Sequence, residues 1–63
     1  MSFIIRHFRD GCPVGTPDRS ITMYAARYNA RARQEDLHSD SAVILGKTDN
    51  GIEREVEVIR FAN

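Results

Sequence analysis

Apolar residues in this chain gather in three stretches, and the short runs between them are rich in Gly, Pro, Asp and Ser. The first stretch, Phe3 to Arg9, is dense in β-branched and aromatic residues and stops at Asp10-Gly11, a turn signal, so it reads as a strand. Phe3 and Ile5 share one of its faces with His7, while Ile4 and Phe8 share the other with Arg6. A strand that is apolar on both faces is expected to be covered on both. Residues 10 to 16 hold two glycines and a proline without periodicity and read as a loop.

The second stretch has helical spacing. Thr16-Pro17-Asp18 carries the marks of a helix start: a side-chain acceptor, a proline suited to the first turn, and an acid at the positive end of the helix dipole. Ser20 is a competing cap. From there Ile21, Tyr24, Ala25, Tyr28 and Ala32 recur at i, i+3, i+4, i+7 and i+11, which predicts one apolar stripe facing the core. Arg27 and Arg31 fall one turn apart on one flank of that stripe and Arg33 on the other, and the pattern fades between Asp36 and His38.

The third stretch is double. Ala42 to Lys47 and Ile52 to Phe61 bracket Thr48-Asp49-Asn50-Gly51, and Asn-Gly is the strongest short hairpin signal. A two-residue Asn50-Gly51 loop pairs Lys47 with Arg54, Leu45 with Val56 and Val43 with Val58 on one face. It pairs Gly46 with Glu55, Ile44 with Glu57 and Ala42 with Ile59 on the other. The block of Leu45, Val56, Val43 and Val58 is the face expected beneath the helix. The result is an α+β fold of order β-α-β-β, with one amphipathic helix on one face of a three-stranded mixed sheet. The last strand is expected in the centre, and a right-handed crossover is expected if the first two strands are parallel.

Composition narrows the setting. With 63 residues there is room for one small domain, 1–63, and a chain this short buries only about 60% of the surface its unfolded form exposes. Cys12 is the sole cysteine, so no internal disulfide can form, and no apolar run approaches the length of a membrane span. These features predict a cytoplasmic chain, neither exported nor embedded. Formal net charge is zero, but residues 1–33 carry six arginines against two aspartates (+4), leaving −4 in the remainder. A neutral total argues against a dedicated nonspecific nucleic-acid binder and leaves little repulsion against self-association.

Candidate chemistry is sparse. Cys12-Pro13 lacks an evident base and reads as an inert thiol; His7, Cys12, His38 and Asp40 match no compact metal-ligand spacing. Glu53, Glu55 and Glu57 stand at period two on one strand face and read as a solvated row. The glycines are too scattered for a phosphate loop. No catalysis, metal or cofactor is expected.

Two surfaces remain. In the predicted register the uncovered sheet face gathers Ile44, Ile59 and Phe61, an apolar patch large enough to serve as an interface. Arg27, Arg31 and Arg33 line the helix flank, where guanidinium forks suit carboxylates or phosphates. Together they predict a non-catalytic protein–protein interaction module, an accessory or inhibitory protein, similar in size and composition to small phage-encoded inhibitors of host enzymes. Its partner would be a larger protein or a second copy of itself. The alternative is a small nucleic-acid-binding regulator that uses the helix arginines.

Overall fold

The computed structural model describes residues 2–61 and contains five elements: β1 (Ser2–Arg9), β2 (Cys12–Ser20), α1 (Met23–Leu37), β3 (Ser41–Lys47) and β4 (Glu53–Arg60). One helix packs on a four-stranded sheet of order β2-β1-β3-β4, in which every neighbouring pair is antiparallel. The α+β class holds, but the order is β-β-α-β-β and the sheet is neither three-stranded nor mixed. With no parallel pair, the crossover rule has nothing to act on. The last strand lies at an edge, and β1 and β3 occupy the centre.

The additional strand is β2, where the sequence pattern predicts a loop and the start of a helix. Asp10 and Gly11 both have positive φ, 52° and 80°, as a two-residue hairpin turn requires, so the chain doubles straight back on β1. Pro13, Gly15 and Pro17 hide the strand's periodicity, and all three are tolerated because β2 is an edge. Pairing breaks between Ile5↔Asp18 and His7↔Val14, so residues 15–17 together face Arg6, with Gly15 at φ 73°.

The helix therefore starts later than expected. Thr22 is its N-cap, accepting a hydrogen bond from the Ala25 N–H at 3.0 Å. Its C-cap is His38 in the left-handed region at φ 51°, whose backbone N–H reaches the Gln34 and Glu35 carbonyls. The buried stripe also differs. Ala26 and Ala30 are wholly buried with Met23 packed beside them, whereas Ile21, Tyr24 and Tyr28 are 82%, 83% and 67% exposed. The expected core stripe of Ile21, Tyr24 and Tyr28 is thus an outer surface. Two alanines let the helix lie close on the sheet, and flanking polar residues find partners on β2: Asn29 donates to Ser20 Oγ at 2.8 Å and Arg33 to Asp18 Oδ1 at 2.7 Å.

The β3–β4 hairpin contains two irregularities that offset each other. Its loop has three residues rather than two: Thr48 and Ile52 pair through the Thr48 N–H and Ile52 carbonyl, the Gly51 N–H returns to the Thr48 carbonyl, and Gly51 alone takes positive φ, 82°. Near the turn the pairs are therefore Lys47↔Glu53, Gly46↔Arg54 and Leu45↔Glu55, one residue from the expected register. A bulge at Val56 then restores Ile44↔Glu57, Val43↔Val58 and Ala42↔Ile59, as expected.

Cross-strand partners share a face, so one side of the sheet carries Phe3, Ile5, His7, Ala42, Ile44, Glu57 and Ile59, and α1 covers this side over β1, β2 and β3. Ile5, Ile44, Ala42, Ala26 and Ala30 form the core, with Phe3, Met23, Ile59 and Phe61 packed against it. The opposite side, carrying Ile4, Phe8, Val43, Leu45 and Val58, faces away from the helix. The two faces are therefore the reverse of the expected assignment. The proposed open patch of Ile44, Ile59 and Phe61 is the helix-facing side, with Ile44 wholly buried.

Candidate interaction surface

With that patch withdrawn into the core, the remaining exposed cluster lies on the outside of α1. Tyr24, Arg27, Tyr28 and Arg31 recur at i, i+3, i+4 and i+7 and line a shallow groove of about 410 Å³. The spacing that suggested a core stripe instead places two phenol rings and two guanidinium groups together in solvent. Arg27 is held in a fork against β4, its Nε donating to Glu57 Oε2 at 3.1 Å and its Nη2 to Oε1 at 2.9 Å. Those hydrogen bonds hold the Glu57 carboxyl below its usual range and raise the Arg27 pKa. Arg31 adds a more distant attraction on Glu57 and makes no ion pair of its own among the described residues. It is the freer of the two cations.

Arg33 does not belong to this cluster. It lies on the side of the helix that faces β2, in an ion pair with Asp18, so its charge is already spent inside the molecule. Of the three expected arginines, the structure groups Arg27 with Arg31 and separates the third. Tyr24 and Tyr28 are site residues that the apolar periodicity alone assigns to the core. The available signal was the company they keep: two large rings alternating with arginines at helical spacing is also the pattern of an exposed recognition stripe.

A second cluster lies beneath the helix end. His7, 2% exposed, has Nδ1 at 2.9 Å from Ser39 Oγ, and Ser39 is also 2% exposed. Gln34 Nε2 donates to the Ser39 carbonyl, and the Phe61 ring lies parallel to the His7 ring. His7 Nε2 and Asp18 Oδ2 are both buried without a hydrogen-bond partner among the described residues. Burial lowers the His7 pKa, opposed by the Asp18 charge and reinforced by Arg33. Ser, His and Asp together suggest nucleophilic catalysis, but the Ser39 hydroxyl is sealed from any substrate and the Asp18 carboxylate is engaged by Arg33. The cluster is a polar element of the core.

The other candidates disperse. Cys12 is exposed at the start of β2, and no group of three potential metal ligands forms among the described residues. The bulge divides the glutamate row: Glu57 turns to the helix side, while Glu53 and Glu55 pair with Lys47 and Leu45 on the other face. Among the described residues no helix is long and apolar enough to cross a membrane. Set against protein-family models, curated proteins and solved structures, the chain matches none.

Proposed function

We propose that this chain is a non-catalytic protein-binding module that engages a larger protein through the outer stripe of α1, with Tyr24 and Tyr28 as anchors and Arg31 as the orienting charge. The observation that carries this reading is the 83% and 67% exposure of two tyrosines set beside arginines on a helix capped at both ends. Tyrosine and arginine dominate the energetically important positions of protein interfaces, because each offers a large contact area together with a polar end. Isolated rings so far out of the core contribute little to folding and are free to pay for binding. A carboxylate-bearing partner surface suits the arrangement, since Arg31 has no acid of its own and Arg27 already shows the fork geometry on Glu57. An accessory or inhibitory role fits a domain of this size.

The test is a pull-down with the intact chain from its native extract, followed by affinity measurement on the isolated partner. Tyr24→Ala and Tyr28→Ala should each weaken that partner by about tenfold or more, and Lys47→Ala, on the opposite sheet face, should leave it unchanged. A partner retained equally by all three variants rejects the helix stripe.

A second reading is favoured by the same exposure. Rings interleaved with arginines are also stacking platforms for unpaired bases. The neutral net charge and the commitment of Arg27 to Glu57 weigh against it. Fluorescence anisotropy with a single-stranded RNA oligonucleotide across a salt series separates the two, because phosphate binding falls linearly in log salt.

A further inference from the structure

We infer that two copies of this chain pair edge to edge through β4, antiparallel, with Glu53 of each opposite Arg60 of the other and Glu55 opposite Val58. This goes beyond the helix-stripe reading and does not depend on it.

The two sheet edges differ. The outer edge of β2 is interrupted by Pro13, Gly15 and Pro17, which remove donors and break the strand's run. The outer edge of β4 spans eight residues, Glu-Arg-Glu-Val-Glu-Val-Ile-Arg, with neither proline nor glycine. Val56 and Val58 on this strand are 52% and 41% exposed.

Hydrogen-bond alternation identifies which backbone groups point outward. At one end Phe61 donates to the Asp40 carbonyl, and at the other Thr48 donates to the Ile52 carbonyl. Antiparallel pairs alternate between bonded and non-bonded, so Val58 and Arg60, counted from one end, and Glu53 and Glu55, counted from the other, direct N–H and C=O away from β3. All four side chains lie on the face away from the helix. Pairing β4 with a second β4 about a two-fold axis between Val56 and Glu57 brings these four residues opposite one another, as Glu53 with Arg60 and Glu55 with Val58. The Val56 bulge makes this possible, because in a regular strand residues an odd number apart point to opposite faces.

Charge selects the same register. It places two symmetric Glu53–Arg60 pairs across the seam and sets no like charges directly opposite. Sliding by one residue in one direction places Glu55 opposite Glu57, and in the other Arg54 opposite Arg60, each with its outward backbone groups mismatched. Arg60 makes no ion pair within its own chain among the described residues, and Glu53 has a long, solvent-exposed one, its Oε1 3.7 Å from Arg6 Nη2, which the seam pair would have to share or replace. Because α1 packs over β1, β2 and β3, the pairing leaves both helices on one side of an eight-stranded sheet. Their Tyr24–Arg31 stripes then look at each other across a trough floored by the two β4 strands.

Sedimentation equilibrium of the intact chain over a wide concentration range is the test. The expected mass at high concentration is twice the 7.2 kDa of one chain. Arg60→Glu should weaken the dimer by about tenfold or more, since opposite charges become like charges at two symmetric positions, and E53R combined with R60E should restore it. Val58→Pro removes an outward N–H without touching the β3 ladder and should give a monomer, with circular dichroism verifying that it remains folded. A wild type that stays monomeric throughout, or a dimer indifferent to both R60E and a folded V58P, overturns the proposal. Neither outcome bears on whether Tyr24 and Tyr28 bind a larger protein.

Discussion

Arg27 on the helix and Glu57 on the edge strand meet side by side, Nε to Oε2 at 3.1 Å and Nη2 to Oε1 at 2.9 Å, joining α1 to the one strand it does not cover. Both groups stand in solvent, where ion pairs contribute little to folding. Arg27→Ala should therefore leave the thermal midpoint almost unmoved. It should also return the Glu57 carboxyl toward its ordinary range, because the hydrogen bonds that depress it are gone. Carboxyl-detected NMR titration of both proteins checks this. An unshifted Glu57 midpoint would show that the fork does not persist in solution.

His7 gives the fold a pH dependence with a definite sign. Burial lowers its pKa below the ordinary 6.5, so the unfolded chain takes up the proton more readily than the folded one. The contribution of neutral His7 is fully present above pH 6.5 and declines as the pH falls from there toward the folded-state value. Urea unfolding between pH 7.5 and 5 should show this loss, and His7→Gln should flatten it. A wild-type slope that survives in His7→Gln would assign the effect elsewhere.

Ser39 supports that ring from below. Ser39→Ala removes the partner of Nδ1 in a site without solvent and should cost about 1–3 kcal/mol, the usual penalty for a buried polar atom left alone. Chemical denaturation at pH 7.5 measures it.

Gly15 and Gly51 both adopt positive φ, 73° and 82°, but their surroundings differ. A Cβ on Gly51 meets open space, whereas one on Gly15 would lie 2.8 Å from Leu37 Cδ2 and 3.1 Å from Cδ1. Gly51→Ala should cost about 1 kcal/mol of backbone strain. Gly15→Ala should cost more, because the Leu37 side chain must also move off β2. Comparing denaturation midpoints of the two variants, and of Gly15→Ala combined with Leu37→Ala, tests whether the excess comes from that contact.

Thr22→Ala should cost about 1 kcal/mol through loss of the N-cap. Thr16→Ala, at the start favoured by the sequence pattern, lies in an exposed part of β2 and should be close to neutral. Equal effects would place the helix start elsewhere.

What is legible in the sequence and what is not both trace to one strand. The β1 segment, the β3–β4 hairpin and the end of α1 were legible because each carries a local signal: β-branched density, an Asn-Gly turn, a fading helical period. Nothing local identifies β2, since Pro13, Gly15 and Pro17 erase alternation, and its best clue was that Asp10-Gly11 is a hairpin turn rather than merely a stop. Without β2, nothing marks the side of the helix that carries Asn29 and Arg33 as inward-facing, and the apolar period alone draws Tyr24 and Tyr28 into the core. It also leaves Arg33 at the surface, on the opposite flank from Arg27 and Arg31, where the structure has it paired with Asp18. The sheet faces were exchanged for a related reason: counting apolar residues favoured Val43, Leu45 and Val58, whereas two alanines admit close packing over Ile5 and Ile44.

The extra residue in the Thr48–Ile52 loop and the extra residue at Val56 both lie outside the β3–β4 pairs, one beyond the Thr48–Ile52 closure and one unpaired between Glu55 and Glu57. A lineage or a designer can therefore shorten this hairpin one residue at a time. Removing Val56 alone leaves Leu45↔Glu55 and Ile44↔Glu57 as consecutive pairs and every remaining side chain on its own side, and removing Asn50 alone only tightens the loop inside the Thr48–Ile52 pair.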